Sequence, residues 1–200
     1  MARRQRLARV AGFGSSLAAL LGLAGAVAAA PGLSSTYSDI SPGRCGAKPA
    51  RAPADHEAVR QRCRLLGLFG VEIVYGGTSV AVTLQGSEGP PARLGAGYAV
   101  GDRIEWRGLR EAGRFVPRAA IVRLSSRDPA GRVVSALAVL RVEGGRVCAA
   151  GVLDAAGRDA NLLAREAADR AASGPACAET KLAVIGPETE ITREILDRSR

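Results

Sequence analysis

The sequence predicts an α+β domain: an antiparallel β-meander of about five to six strands, with an N-terminal helix and a C-terminal helix packed on the sheet, stapled by disulfides. Three observations carry this expectation. Between Val71 and Leu153, short β-rich runs follow one another, separated by glycine-rich turns. Patterns of helical period stand before and after that stretch. The chain holds four cysteines, the even count expected of two bridges in an exported protein.

The first thirty residues supply the export argument. Residues 1–9 carry four arginines and no acid, and residues 10–30 run without a charge. Ala26-Val27-Ala28 fits a small-residue cleavage site, which completes the layout of a secretory signal peptide. Ala28-Ala29-Ala30 fits less well, because Pro31 would follow the cut. Arg3 and Arg4 invite a twin-arginine reading, but Arg6 stands where an apolar residue is wanted. No cysteine near the cut offers a lipid anchor. An uncleaved anchor is the alternative, since the run approaches the length of a membrane span. The expected organisation is a signal peptide over 1–28, a Pro/Gly-rich linker over 29–53, a single α+β domain over 54–186 and a charged tail over 187–200. The expected place is periplasmic or secreted, with no membrane span after signal cleavage.

Cleavage leaves 172 residues, enough for one domain with a core of its own. It also removes four of the nine net positive charges. Of the 28 basic residues, 26 are arginine. A basic exported surface suits anionic envelope material, with a plain solvated face as the competing account.

The elements follow in order. Residues 31–53 hold four prolines and no sustained period, the mark of a linker ordered only near Cys45. In "ADHEAVRQRCRLLG", Asp55 can cap a helix, Val59, Cys63 and Leu66 share one helical face, and Gly67 can end it. "VEIVYGGTSVAVTLQ" reads as a hairpin turning at Gly76-Gly77. Residues 86–97 read as a loop. Next, Ile104 and Trp106 alternate with Arg103, Glu105 and Arg107, giving one buried and one wet face. In the following strand Pro117 lacks a ladder donor and belongs at an edge or a bulge.

"VVSALAVLRVEGGRVCAAGVLD" is the clearest hairpin. A turn at Gly144-Gly145 sets Glu143 opposite Arg146, Arg141 opposite Cys148 and Leu140 opposite Ala149. Val134, Ala136, Ala138, Leu140, Val142, Val147, Ala149, Gly151 and Leu153 then share one face. Val133, Ser135, Leu137, Val139, Arg141, Cys148, Ala150 and Val152 share the other. Both faces are mostly apolar, so both need cover. A helix over about 160–172 supplies one cover, with Asp159 as its cap and Leu163, Ala164, Ala167, Ala168 and Ala171 as its apolar stripe. The first helix, through Val59 and Leu66, is the expected cover of the Val134–Leu140–Val142 side, with self-association as the alternative. "LAVIG" at 182–186 suits a short edge strand. In the tail, Ile191 and Ile195 stand one helical turn apart.

Reach selects among the three possible cysteine pairings. From Cys148 the strand climbs ~17 Å at strand rise, and the helix descends ~20 Å at helical rise. Cys177 thus returns to the level of Cys148, and Cys148–Cys177 bolts the helix to the sheet. Cys45–Cys63 then ties the linker to the first helix. The intervals of 18, 85 and 29 residues contain no C-x-x-C, which argues against a metal site and against a thioredoxin-like pair.

No catalytic motif is present, and none for a cofactor. His56 is the sole histidine, and a helix-start position beside Asp55 and Glu57 explains it. Glu72, Glu105, Asp154 and Asp159 are acids that folding could pair, and Asn161 fits a first helical turn. Arg103, Arg107, Arg114 and Arg118 form a possible anion-binding surface on neighbouring strands. With Trp106 turned inward and few aromatics left to stack on bases, nucleic acid is disfavoured. Three functional readings follow. The leading one is a non-enzymatic binding or structural module of the cell envelope, partnered by an envelope protein or an anionic envelope component. The second is a carrier of a small apolar ligand between sheet and helix, which a cavity lined by both layers would favour. The third is an enzyme with a dispersed carboxylate or arginine site.

Residues 1–30 fused to a reporter active only outside the cytoplasm should give activity, and N-terminal sequencing of the product should begin near Ala29. A full-length cytoplasmic product would remove the oxidising compartment on which the disulfide argument rests.

Overall fold

The computed structural model describes residues 32–45 and 59–199. Strands take 52% of the described residues and helices 14%, so the described structure is mostly β, and the α+β meander with a helix at each end is overturned. Ten strands and two helices run in the order β1 (Ser34–Asp39), β2 (Val59–Arg64), β3 (Gly70–Gly76), β4 (Ser79–Gln85), β5 (Ala92–Ala96), β6 (Ala99–Glu111), β7 (Arg114–Arg127), β8 (Val133–Glu143), β9 (Arg146–Asp154), α1 (Ala160–Ala172), β10 (Ala183–Val184) and α2 (Glu190–Arg198). They form a six-stranded sheet ordered β1-β6-β7-β8-β9-β10 and a four-stranded sheet ordered β2-β3-β4-β5. Every pairing is antiparallel except β9 with the short edge strand β10.

The expected N-terminal helix is the main departure. Residues 55–58 and His56 with them lie outside the described residues, and 59–64 form β2. Val59 and Cys63 fit a helical period and a strand period equally well. Gln61 decides between them, because it is buried between them on the inward face. Its amide donates to the Ile40 carbonyl at 2.8 Å, which makes a buried polar residue tolerable there. Arg60, Arg62 and Arg64 then alternate outward, and Arg62 meets Glu72 directly across the strand pair at 2.8 Å. Within the stretch read as linker, residues 34–39 form β1 and pair with β6. The stretch read as a loop over 86–97 contains β5, whose Ala92, Leu94 and Ala96 are buried. The β3–β4 turn falls one residue later than expected, since Gly76 pairs with Ser79.

The two sheets face each other across a common core. Val71, Ile73, Val82, Leu84 and Leu94 come from the small sheet, and Ile104, Trp106, Val122, Leu124 and Leu140 from the large one. The Trp106 ring is fully buried, lies 5.2 Å from that of Phe69 and donates its indole N–H to Ser38. The small sheet, not a helix, therefore covers the Val134–Leu140–Val142 side. The disulfide Cys45–Cys63 joins the chain just after β1 to β2, so it ties an edge of one sheet to an edge of the other.

The β8–β9 hairpin keeps the expected register from Glu143↔Arg146 to Leu140↔Ala149. There a bulge intervenes, and Val139 pairs with Gly151, leaving Ala150 as the extra residue. The bulge exchanges the faces beyond it. Val152 joins the inter-sheet core, while Leu153 joins Leu137 and Val139 under α1. The expected assignment of Gly151, Leu153 and Val152 to faces is thereby reversed. Pro117 stands beside a second bulge, on β6–β7. Helix α1 lies on the Cys148 side, as its bridge to Cys177 requires. The charged tail is folded: residues 190–198 form α2, and its Ile191 and Ile195 are buried in the inter-sheet core. It closes the end of the sandwich between β5 and the β9–β10 edge.

The small sheet approaches the large one closely where Gly86 meets the β8–β9 turn. A Cβ on Gly86 would collide with the backbone carbonyl of Gly145, which cannot rotate away as a side chain would. Gly86→Ala should therefore lower stability by about 1–3 kcal/mol, measured by urea unfolding. An unchanged midpoint would mean that the small sheet does not seat on the hairpin as described.

Candidate functional site

The site is best built from α1, because the helix defines the grooves beside it. Its buried stripe is Ala160, Ala164, Ala167 and Ala168. Such small side chains let the backbone approach the sheet closely but bury little apolar area each, so polar contacts share the task of fixing the helix. Arg107 of β6 makes a bidentate pair with Asp169 (2.8 and 2.6 Å) and is itself only 11% exposed. Asp169 raises the Arg107 pKa further above its already high ordinary value. Arg165 of α1 reaches back to Glu105 at 2.7 Å, and that carboxylate likewise raises the arginine's pKa. The face of β6 expected to be wet is thus covered by the helix, and its charges are matched by charges from α1.

The four arginines of the expected surface differ in their surroundings. Arg107 is held by Asp169, and Arg118 pairs with Glu111 at 3.0 Å. Arg114 stands opposite Glu111 in the β6–β7 register, and Arg103 opposite Asp39 in the β1–β6 register. Arg107 and Arg118 are thus held in ion pairs, while Arg103 and Arg114 have an acid opposite them only in strand register, and Glu111 is shared between Arg114 and Arg118. The dispersed acids are not gathered. Glu72 pairs with Arg60 and Arg62, and Glu105 with Arg165 on the opposite side of the molecule's inter-sheet core. Asp154 accepts from the Ala156 N–H, and Asn161 from Arg123. Asp159 occupies the cap position of α1 without a side-chain cap bond. Among the described residues, no group of three or more His, Cys, Asp or Glu is placed to hold a metal ion.

One residue outside these expectations stands out. Arg141 is the only charged residue among seven consecutive buried positions of β8, 136–142, and is 8% exposed. Its Nη1 donates to the Ala171 carbonyl at 2.6 Å and its Nη2 to Glu143 at 3.0 Å. The first contact adds a second donor to the Ala171 carbonyl, which already accepts the Gly174 N–H at 3.1 Å, at the end of α1, where a cation suits the helix dipole. Glu143 in turn accepts the N–H of Cys177 at 3.0 Å. The Cys148–Cys177 bridge therefore sits within a polar network that spans β8, α1 and the segment after it. The Nε of Arg141 is buried and has no partner. The sequence carries a signal for this residue: a lone charge in the apolar run "VVSALAVLRV", on the face that α1 covers.

Arg141 opens onto a cleft of about 290 Å³ between the end of α1, β9 and the chain around β10. Val139, Ala167 and Ile185 give it apolar walls, and Arg141, Arg170, Lys181 and Glu179 its charges. A second cleft, of about 410 Å³, adjoins it at Arg170 and Ile185 and runs to the start of α1 past Leu153, Leu163 and Pro187. Together they make a groove along one flank of the helix. Gly151 lies in its floor, and a Cβ there would strike Ile185, so the glycine lets β10 pack closely. A third cleft of about 430 Å³ lies at the start of α2. Most of its charges are engaged: Asp128 with Arg132, Glu194 with Arg198, and Arg127 over the Tyr98 ring. No family model, curated protein or solved structure matches the chain.

The Cys177 N–H, then Arg141, hold the Glu143 carboxylate below the ordinary glutamate range. A depressed folded-state pKa contributes stability that is present above the unfolded value, roughly 4.3, and is lost as pH falls through the lower folded value. Wild type should therefore exceed Glu143→Gln in thermal midpoint at pH 7, and the gap should shrink on acidification below about pH 4. A gap independent of pH would show that the carboxylate's charge plays no part in anchoring Cys177.

Proposed function

We propose that this chain is an extracytoplasmic, non-enzymatic binding domain whose ligand lies in the groove along α1. The observation that carries the reading is the pair of adjoining clefts, of about 290 and 410 Å³, in the size range of small-molecule sites. Their walls are mainly apolar, with a few polar groups at defined places, which is the usual composition of such sites. The groove lies between the helix and the β9–β10 edge, so it fits a carrier of a small, largely apolar molecule. It runs beside α1 and not beneath it, because the alanine stripe fills the space between helix and sheet. The two disulfides are compatible with an oxidising compartment. No helix among the described residues is long and apolar enough to cross a membrane.

The exposed pair Leu162 and Leu163 on α1 favours a second reading, in which an envelope protein docks on the helix. A dispersed active site draws less support, because Glu72 and Glu105 are each held by other arginines and the four named acids are not brought together.

A neutral naphthylamine fluorophore titrated into the purified, oxidised protein should show the blue-shifted emission of an apolar site. Leu163→Glu alters a residue that is 49% exposed, so it should leave the unfolding midpoint within about 0.5 kcal/mol and weaken that binding. Unaltered fluorophore binding in a folded Leu163→Glu protein would place any apolar site elsewhere.

A further inference from the structure

Resting on the groove reading, we infer that the site selects a single-chain amphiphile with a carboxylate head, seated at Arg141 with its chain running toward Leu163. Three observations point the same way. First, charge is unevenly distributed along the groove. The end beside Arg141 has three cations, Arg141, Arg170 and Lys181, against Glu179 in the lining and Glu143, which pairs with Arg141. Arg170 and Lys181 are exposed and, among the described residues, pair with no carboxylate. Second, Arg141 is a fixed cation in the cleft wall. Two of its nitrogens are held by Ala171 and Glu143, so its guanidinium is oriented before any ligand arrives, and an anion at this end of the groove would meet it in a charge-assisted contact. Third, the remainder of the groove is lined by Leu153, Leu163, Ile185 and Pro187. From Ala171 to Leu163 the helix rises ~12 Å, a distance that suits a medium-length alkyl chain and not a compact anion. A carboxylate is preferred to a doubly charged phosphate head because Glu179 shares the cationic end.

The test compares decanoate with decanol by isothermal titration calorimetry on the oxidised protein. Decanoate should bind roughly tenfold or more tightly than decanol, the difference expected of one or two charge-assisted hydrogen bonds. Arg141→Lys keeps the charge but removes the guanidinium donors, and should abolish most of that preference. Should that variant not fold, Arg170→Gln combined with Lys181→Gln changes only exposed residues and should reduce the preference without altering decanol binding. Equal affinity for the two ligands would overturn the carboxylate assignment while leaving the apolar groove in place. Binding of neither, with the fluorophore also unbound, would overturn the groove reading itself. Preference unchanged in both folded variants would place the carboxylate elsewhere and overturn the inference.

Discussion

The fold depends on a strand that has no side to spare. Seven consecutive residues of β8, 136–142, are buried, so the large sheet must be covered on both faces. Only two kinds of cover are available in a chain of this length, another sheet or a helix, and the protein uses one of each. The inter-sheet face carries the larger side chains, including Trp106, Ile104, Leu124 and Leu140. The helix face carries Ala119, Ile121, Leu137, Val139 and Leu153 against the alanines of α1. Hydrophobic stabilisation scales with the apolar area removed from water, so the inter-sheet side contributes more. The helix side is correspondingly rich in directed contacts: two arginine–carboxylate pairs, the Arg141–Ala171 bond and a disulfide.

These directed contacts define where the groove can be. Arg107–Asp169 and Arg165–Glu105 hold one flank of α1 toward β6 and the β1 edge. The opposite flank, toward β9 and β10, has no comparable ion pair among the described residues, and both adjoining clefts are on that side. The close approach permitted by Gly151 and the return of the chain to Cys177 close the far wall. The groove is therefore the space left between a helix fixed from one side and a sheet edge fixed from the other.

Much of the hairpin was legible from residue types alone, because Gly144-Gly145 sets a register that the next four pairs must follow. Both disulfides and α1 were legible for similar reasons of reach and period. The fold class was not. A single buried Gln61 disguised a strand as a helix, since a period-two reading of "VRQRCR" requires placing a polar side chain inward. In β5, "ARLGA" lacks the β-branched residues that mark strands, and its Gly95 is explained only by α2, whose Arg198 Cβ would lie 2.6 Å from an added Cβ. The face reversal at Ala150 was beyond pattern reading because a bulge leaves no fixed residue signature. The candidate site suffered the same limit. An alternating strand face predicts exposure only if nothing packs on it, and α1 packs on the face bearing Glu105 and Arg107. Arg141 was visible as an anomaly, but its meaning required knowing that α1 ends beside it.

The two disulfides also divide the chain into covalent rings. Cys45–Cys63 encloses the connection that passes from the large sheet to the small one, and Cys148–Cys177 encloses α1. A backbone scission inside either ring leaves the protein a single covalent molecule, with both ends of the cut still tethered. A cut within either ring would thus leave the cleaved protein one covalent molecule, whereas a cut between residues 64 and 147 would leave two pieces held by non-covalent contacts alone.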